Sequence, residues 1–458
     1  MASLSASLHI AMQGLNAAAG AIQVTNNNIA NVNTAGYTRE TAVISGAQDT
    51  QVGEYSLGNG VQFEGYKSVR SELLQGQIRS ETSDQSQADA ALSTLQTLET
   101  SFTTSSSTSN IGNEITDLFS SISDLSSNPT SSSLRQSVLT SAQNLATAFN
   151  NVSSTLSTLQ NGLNSQVSDD VGQINSLSEQ IAKLNPQIEQ KESAGDDAGT
   201  LQDQQDELIL KLAALTNVNV TSSSSGVTIT TGGGTALVAG QNSYDLSVGS
   251  SSSTSMGCVL DSNGDDITDT LTSGDLGGTL TTRDQTLTNV QTQLDTLAYD
   301  LGSAFNTAQA SGYDENGEAG SDLFTIPSSS SGAAAAITVA LSDPDAIAAS
   351  SDTSTGGSGN VSNFQAIQTT KLSSGMTPSD AYSSLVYQVG SYTSSADAES
   401  SAASSTLTQL NDQLQSVSGV SIDEEAANLI QYQQAYSAAA HVVTTVQSLF
   451  TTLMDAVS

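Results

Sequence analysis

Apolar residues recur at every seventh position at both ends of this chain. Near the start, Leu8, Leu15, Ile22 and Ile29 form one row; Leu4, Ala11 and Ala18 form its companion, with Thr25 as a polar exception. Alternating steps of four and three residues mark the seam of a coiled-coil helix, not a strand. The pattern predicts a helix over about residues 4–29, roughly 39 Å long at about 1.5 Å per residue. The last segment repeats the design: Leu429, Tyr436, Val443, Phe450 and Val457 form one row, and Tyr432, Ala439, Val446 and Leu453 the other. Its start is marked by Ser421, which can cap the helix, and Glu424, which can reach back to it. Asp423, Glu424 and Glu425 stand where the helix dipole favours negative charge, and the strict seven-residue period predicts a gentle left-handed supercoil.

Neither terminal helix can bury its seam alone. Packing on each other satisfies both and brings the chain ends together, with Ala11, Ala18 and Ala439 small enough for close approach. The competing arrangement packs each helix onto the rest of its own domain. His9 and His441 fall beside the seams, on faces expected to be solvated.

The interior carries further helical stripes. Val138, Phe149, Val152, Leu156, Leu159 and Leu163 share one; Val167, Ile174, Ile181 and Ile188 share another, with Leu177 and Leu184. Leu201, Leu208 and Leu215 repeat the seven-residue step, as do Leu287, Leu294 and Leu301 with Val290, Leu297 and Phe305. Pro186 is expected to kink or interrupt its helix. From about 217 to 282 the period changes to two, and β-branched residues alternate with polar ones between serine and glycine turns, as in short antiparallel strands. Two more strands are expected from about 323 and 336, then a helix. The serine-rich stretches 104–109, 222–225, 250–255, 328–331 and 350–358 read as loops or linkers. The fold class is therefore mainly α with a β-rich insertion: paired terminal coiled-coil helices, an elongated helical bundle and a small antiparallel β middle. The expected division is 1–65 with 415–458 as the terminal helical unit and connector, 66–216 with 283–414 as the bundle, and 217–282 as the β-rich outer part.

Composition narrows the function. A chain of 458 residues can form two or three domains and a substantial core. Its net charge is −36, from 46 acidic and 10 basic side chains, and no basic run could neutralise phosphates or an anionic membrane surface. The acidity suits a large, repetitive, soluble surface. Aromatic residues make up only 4% and tryptophan is absent, which argues against an aromatic-lined ligand pocket. Cys258 is the single cysteine, so no internal disulfide holds the fold. No positive residue precedes Arg39 and no apolar stretch reaches membrane-spanning length; by these criteria alone the chain reads as cytoplasmic.

Catalytic constellations are scarce. The sequence has no phosphate-loop motif and no HExxH zinc motif, and two histidines supply little material for histidine-based mechanisms. GGGTALVAG sits in strand-like context and reads as a turn. DSNGDDITD and DENGEAGSD place carboxylates at alternate positions, but the sixth-position glycine and twelfth-position glutamate of a calcium loop are missing, so hairpin turns explain them better. Cys258 has no neighbouring basic residue to activate its thiol. The sequons at Asn151, Asn219 and Asn360 matter only in a glycosylating host. No cofactor or metal is expected, and no enzyme.

The segment GLNAAAGAIQVTNNNIANVNTAGYTRE resembles the N-terminal signature shared by flagellar rod, hook and hook-associated proteins. GVSIDEEAANLIQYQQAYSAAAHVVTTVQSLFTTLMDAV resembles the hook–filament junction members of that family, as do LQDQQDEL, GDLGGTLTTRDQTL, FNTAQASGYDENGEAG and DAYSSLVYQVG. The likeness touches both ends and much of the helical body and is weakest from about 217 to 270. It implies a structural adaptor of the bacterial flagellum. The assembly interface would comprise Leu4, Leu8, Leu15, Ile22 and Ile29 with Leu429, Tyr432, Tyr436, Val443, Val446, Phe450 and Leu453. Asn28, Asn31, Asn33, Gly36 and Tyr37 would form a connector in which Gly36 permits a sharp exit and Tyr37 anchors the turn. The implied partners are identical subunits in a ring, the hook protein, a second junction protein, the type III export apparatus and an export chaperone, this last on Leu429, Tyr432, Tyr436, Val443 and Phe450. Neither nucleic acid nor membrane insertion is implied. Localisation shifts accordingly to the extracellular flagellum, after export without a cleaved signal. Terminal helices of an unassembled subunit are expected to fray. Two competing readings remain at this point: a hook or distal-rod subunit, and a secreted adhesin or enzyme with its active surface in 217–280.

Overall fold

The computed structural model describes residues 2–52, 55–102, 110–195, 197–223, 225–250 and 256–457. Helix α1, Ala2–Asn31, leads into strands β1 (Glu40–Gly46), β2 (Thr50–Val52), β3 (Tyr55–Leu57) and β4 (Val61–Ser68). Four helices follow: α2 (Glu72–Phe102), α3 (Ile111–Ser127), α4 (Ser132–Ser193) and α5 (Gly199–Leu215). The β-rich centre holds β5 (Val218–Ser223), β6 (Gly226–Thr231), β7 (Ala236–Ala239), β8 (Asn242–Ser243), β9 (Ser247–Ser250) and β10 (Gly257–Leu260). The chain returns through α6 (Gly274–Thr281), a π-helical turn over Thr282–Thr286, α7 (Leu287–Ala310), β11 (Phe324–Thr325), α8 (Ala333–Ala336) and β12 (Thr338–Val339). It ends in α9 (Val361–Ile367), α10 (Pro378–Ser418) and α11 (Ile422–Val457).

Start signals explain the helix boundaries. Asn110 Oδ1 accepts from Asn113 N at 2.8 Å and Ser131 Oγ from Leu134 N at 3.4 Å, capping α3 and α4. Thr377 caps α10 ahead of Pro378, which costs nothing at a first helical position because its missing N–H has no partner there. Helix α4, with 62 residues, is about 93 Å long at about 1.5 Å per residue and runs through both hydrophobic cores. The first core joins its N-terminal part to α2, α3, α7, α9 and α10. At its centre Phe305 meets Phe119, Phe324 and Phe364 at centroid distances of 5.6, 5.9 and 6.2 Å. Helices α2 and α10 lie antiparallel, tied by Tyr382 Oη to Phe102 O at 3.0 Å and by Ser400 Oγ to Asp89 Oδ1 at 2.5 Å. The second core begins at Val167 and packs the outer part of α4 with α5 and α6 beneath the antiparallel sheet β5–β6–β7–β8, through Ile229, Leu237 and Val238.

Several expectations need correction. Pro186 does not interrupt α4; Ile181 before it is buried in the second core and Ile188 after it is buried as well, and that burial outweighs the roughly 3 kcal/mol lost at the proline. The strands expected from 323 and 336 exist as the short pair β11–β12, but α8 lies between them and only a 3₁₀ turn, Pro344–Ala346, follows. The segment 222–225 carries the end of β5 rather than a free linker, and β9 takes Ser250; 104–109 and 251–255 lie outside the described residues. Strands β1 and β4 were not anticipated at all. The two acidic stretches are turns: Asp261 Oδ1 accepts from the backbone N of Asn263 and Asp265 at 2.9 Å each, and Asp314 Oδ1 from those of Asn316 and Glu318 at 2.8 Å each. Gly232–Gly234 turns β6 into β7. Among the described residues no helix is long and apolar enough to cross a membrane.

Candidate assembly interface

Helices α1 and α11 pack on each other, and two points fix how. Asn28 Nδ2 donates to Glu425 Oε1 at 3.1 Å, and a methyl placed on Gly14 would lie 3.9 Å from Ala439 Cβ. The pair is therefore antiparallel, with the two points fourteen residues apart on each strand, a spacing that keeps both on one face of each helix. Along the α1 seam Ala11, Ala18 and Thr25 are buried, whereas Leu4, Leu8, Leu15, Ile22 and Ile29 are half-buried. On α11, Val446 is buried, while Leu429, Tyr432, Val443 and Phe450 are half-buried and Tyr436 and Leu453 exposed. Val442 and Leu449 form a second apolar row beside this seam and, like Leu453 on it, are exposed by 45, 51 and 45% respectively. Both helices are continuous over Ala2–Asn31 and Ile422–Val457, but a single chain leaves much of α11's apolar surface in solvent. His9 and His441 are exposed.

A second face of α1 escaped the sequence reading. Ala17, Ala21 and Val24 are buried, and this face rests on β1 and β4. A methyl on Gly20 would come within 2.8 Å of the Phe63 ring, so the glycine is what lets β4 close down. Its signal was present: Ala17, Ala21, Val24 and Asn28 repeat the four–three step on a different side of the helix. Gly20→Ala is expected to lower stability by about 1–3 kcal/mol through overpacking. Gly14→Ala, with no such clash, is expected to raise it by about 0.5–1 kcal/mol by removing backbone freedom from the unfolded chain. Thermal melts of the two variants should move in opposite directions.

At the end of α1 the connector folds into a buried polar latch. Asn28 is 1% exposed; its Nδ2 also donates to Glu40 O at 2.8 Å, and its Oδ1 accepts from Glu40 N and Tyr37 Oη at 2.9 Å each. Asn27 Nδ2 donates to Glu40 Oε2 at 3.0 Å, and Asn31 Nδ2 back to Asn27 O at 3.0 Å. Gly36 takes φ +76°, the left-handed conformation that its turn requires and that a Cβ disfavours. Asn33 is exposed and stands outside this network. Burial raises the Tyr37 hydroxyl's pKa, reinforced by Glu40 and Asp203. Burial also raises that of Glu40, outweighing the Asn27 hydrogen bond that favours the anion. The connector then crosses to α5: Thr38 Oγ1 donates to Asp203 Oδ1 at 2.7 Å, and Arg70 bridges Asp203 and Asp206. Backbone bonds complete the join, Arg39 N donating to Ser418 O at 2.9 Å.

From sequence Glu425 reads only as one of three acids suited to the helix dipole, although it carries a buried contact between the chain's two ends. The expected reciprocal cap at Ser421 forms on one side only: Ser421 Oγ accepts from Glu424 N at a long 3.5 Å, and the Glu424 carboxylate faces Arg39 at 3.4 Å instead. In 217–280, Asp261 and Asp266 serve turns. Backbone donors hold Asp261 below the usual carboxylate range, and Thr268 does the same for Asp266.

Residues 95–324, half of the chain, match the family described as flagellar hook-associated protein FlgK helical domain. The chain belongs to that family. Its ends match two further descriptions, flagella basal body rod protein over 8–38 and flagellar basal body rod FlgEFG protein C-terminal over 413–456. These two segments cover most of α1 with the connector, and α11. Among curated relatives, flagellar hook-associated protein 1 of Escherichia coli (strain K12) is 29% identical, covering 99% of this chain and 100% of the relative. That of Bacillus subtilis (strain 168) is 28% identical over 95% of each. The solved flagellar hook junction protein FlgK from Burkholderia pseudomallei shares the fold, with a TM-score of 0.68 at 21% identity over 75% of this chain and all of that one. Membership of the FlgK family makes the chain a structural component of the flagellum that assembles with hook components.

Proposed function

We propose that this subunit joins hook to filament, and that it does so by completing the burial of its terminal helices against neighbouring copies in a ring. The observation that carries the reading is the α1–α11 pair, latched at Asn28–Glu425 yet leaving Val442, Leu449 and Leu453 in solvent. At roughly 25 cal/mol per Å² of apolar surface, a few hundred Å² per neighbour contributes several kcal/mol. Leu4, Leu8, Leu15, Ile22 and Ile29 with Leu429, Tyr432, Tyr436, Val443, Val446, Phe450 and Leu453 form the assembly seam; Asn28, Asn31, Asn33, Gly36 and Tyr37 connect it to the bundle. The hook protein lies on one side of the ring and a second junction protein on the other. The subunit reaches the outside through the type III export apparatus without a cleaved signal. An export chaperone takes Leu429, Tyr432, Tyr436, Val443 and Phe450; four of these are half-buried in the pair, so the chaperone must leave before α1 and α11 close.

Electron microscopy tests the reading. Cells lacking the subunit should retain hooks and shed filaments into the medium. Cells carrying Val446→Asp should export the protein and fail to incorporate it, because a carboxylate at a buried position of the seam costs several kcal/mol. Filaments still attached in either strain would contradict the proposed role.

A further inference from the structure

The two hydrophobic cores meet at a polar waist. On α4 the first core ends at Leu163 and the second begins at Val167. On the returning strand Leu280 belongs to the second core and Leu287 to the first, with the π-helical turn between them. Such single wide turns inside α-helices occur often at functional positions. Within the waist, Asn164 Oδ1 accepts from Gly257 N at 2.9 Å and from the buried Arg283 Nη1 at 3.0 Å. Beside it opens a cleft of about 470 Å³ between α2, α4 and α6, whose walls include Thr94, Thr158, Gln166, Asp275 and Thr279. One turn beyond Gln166 sits Asp170, 0% exposed. Its Oδ1 accepts from Gln166 Nε2 at 2.8 Å, and its buried Oδ2 has no hydrogen-bond partner among the described residues. A buried carboxylate oxygen without a donor is costly as an anion and far less so as a protonated acid.

We propose that Asp170 and Asp275 act together as a proton-holding clamp at this waist, the proton keeping α6 seated on α4 and its release to solvent loosening the β-rich outer part from the bundle. The surrounding groups support it. From α4 the other charged neighbour is Asp169, again acidic; α6 contributes Asp275 itself. The α2 wall offers Ser93, Thr94 and Thr97, all uncharged. In the π-helical turn Arg283 is committed to Asp284 at 2.7 and 2.8 Å as well as to Asn164. Helix α5, which packs on α6, keeps its Lys211–Glu207 pair in solvent. Burial first, then the charge of Asp275, pushes the Asp170 carboxyl up to about 7, and burial raises Asp275 as well. An opened waist would return Asp170 to its ordinary value of about 3.9. Between about pH 4 and pH 7 the closed waist therefore holds a proton that the open one has lost, so closure is strongest in acid and weakens about tenfold per pH unit until the carboxyl ionises in the closed form too.

Hydrogen exchange on the full chain tests this. Protection of the α6 amides, corrected for the chemical rate, should fall about tenfold per unit from about pH 5 to pH 7 and level off above. Asp170→Asn, which keeps the shape and removes the titration, should give a flat profile. Infrared difference spectra should show a protonated carboxyl in the wild type that disappears over the same range and is missing in the variant. Should Asp170→Asn fail to fold, the wild-type exchange profile and infrared titration decide. A pH-independent protection of α6, an equal slope in the variant, or no carboxyl titrating near neutrality would each overturn the clamp.

Discussion

Asn28→Ala should separate the two ends of the chain while leaving the bundle intact. Asn28 hydrogen-bonds at once to α11, the connector backbone and the Tyr37 hydroxyl. Its removal strands the Glu40 N–H and the Glu425 carboxylate in a buried site, and each such group costs about 1–3 kcal/mol. A loss of about 2–4 kcal/mol corresponds to roughly a 30- to 800-fold rise in opening. The loss should register as weaker hydrogen-exchange protection along α11, with no change along α3 or α7. Asn33→Ala removes an exposed side chain from the same loop and should stay within about 0.5 kcal/mol of wild type. In cells the latch variant should lose filament attachment and the control keep it. Equal behaviour of the two variants would show that the connector's asparagines serve only as local caps.

Phe305→Ala should do the reverse. Its ring is fully buried among Phe119, Phe324 and Phe364, contacts drawn from α3, β11 and α9. Truncation of a buried phenylalanine costs about 3–5 kcal/mol, partly in transfer and partly in the void left behind. At about 2.1 cal/mol/K of unfolding entropy per residue, that should lower the melting temperature of a chain of this size by about 3–5 °C. Exchange at the α1–α11 pair should not respond, because that pair shares no buried contact with Phe305. A loss of terminal protection in Phe305→Ala would mean that the bundle and the terminal pair open as one cooperative unit, and the separation between the two experiments would fail.

The terminal helices were legible because their partners are helices: a seven-residue period survives in sequence whenever the buried stripe is straight. The same periodicity misjudged which side chains are deepest. Leu8, Leu15 and Ile22 mark the seam but are only half-covered in a single chain, since their large side chains await more surface than α11 supplies. Ala17 and Ala21 looked unremarkable and are fully enclosed, because close approach of β4 depends on the absence of bulk at Gly20. Strands β1 and β4 went unseen, their exposed faces carrying charges and glycines that break the alternation a half-buried strand should show. Pro186 misled for a different reason: propensity is local, while Ile181 and Ile188 are buried on either side of it. In the connector, Asn28, Gly36 and Tyr37 could be named from residue type, but Glu425 could not. Its partner lies 397 residues away, and nothing in the local pattern separates it from Asp423 and Glu424.

That distance has a consequence for how such chains can vary. The Asn28–Glu425 clasp closes one enormous loop, and the entropic cost of closing a flexible loop rises only with the logarithm of its length, about 0.6 kcal/mol for each doubling. The base of the molecule is thus nearly indifferent to how much polypeptide hangs from it. Outer segments can be trimmed, enlarged or exchanged in the course of evolution, or by an engineer inserting a cargo domain at a β-turn, without retuning the fit at the root.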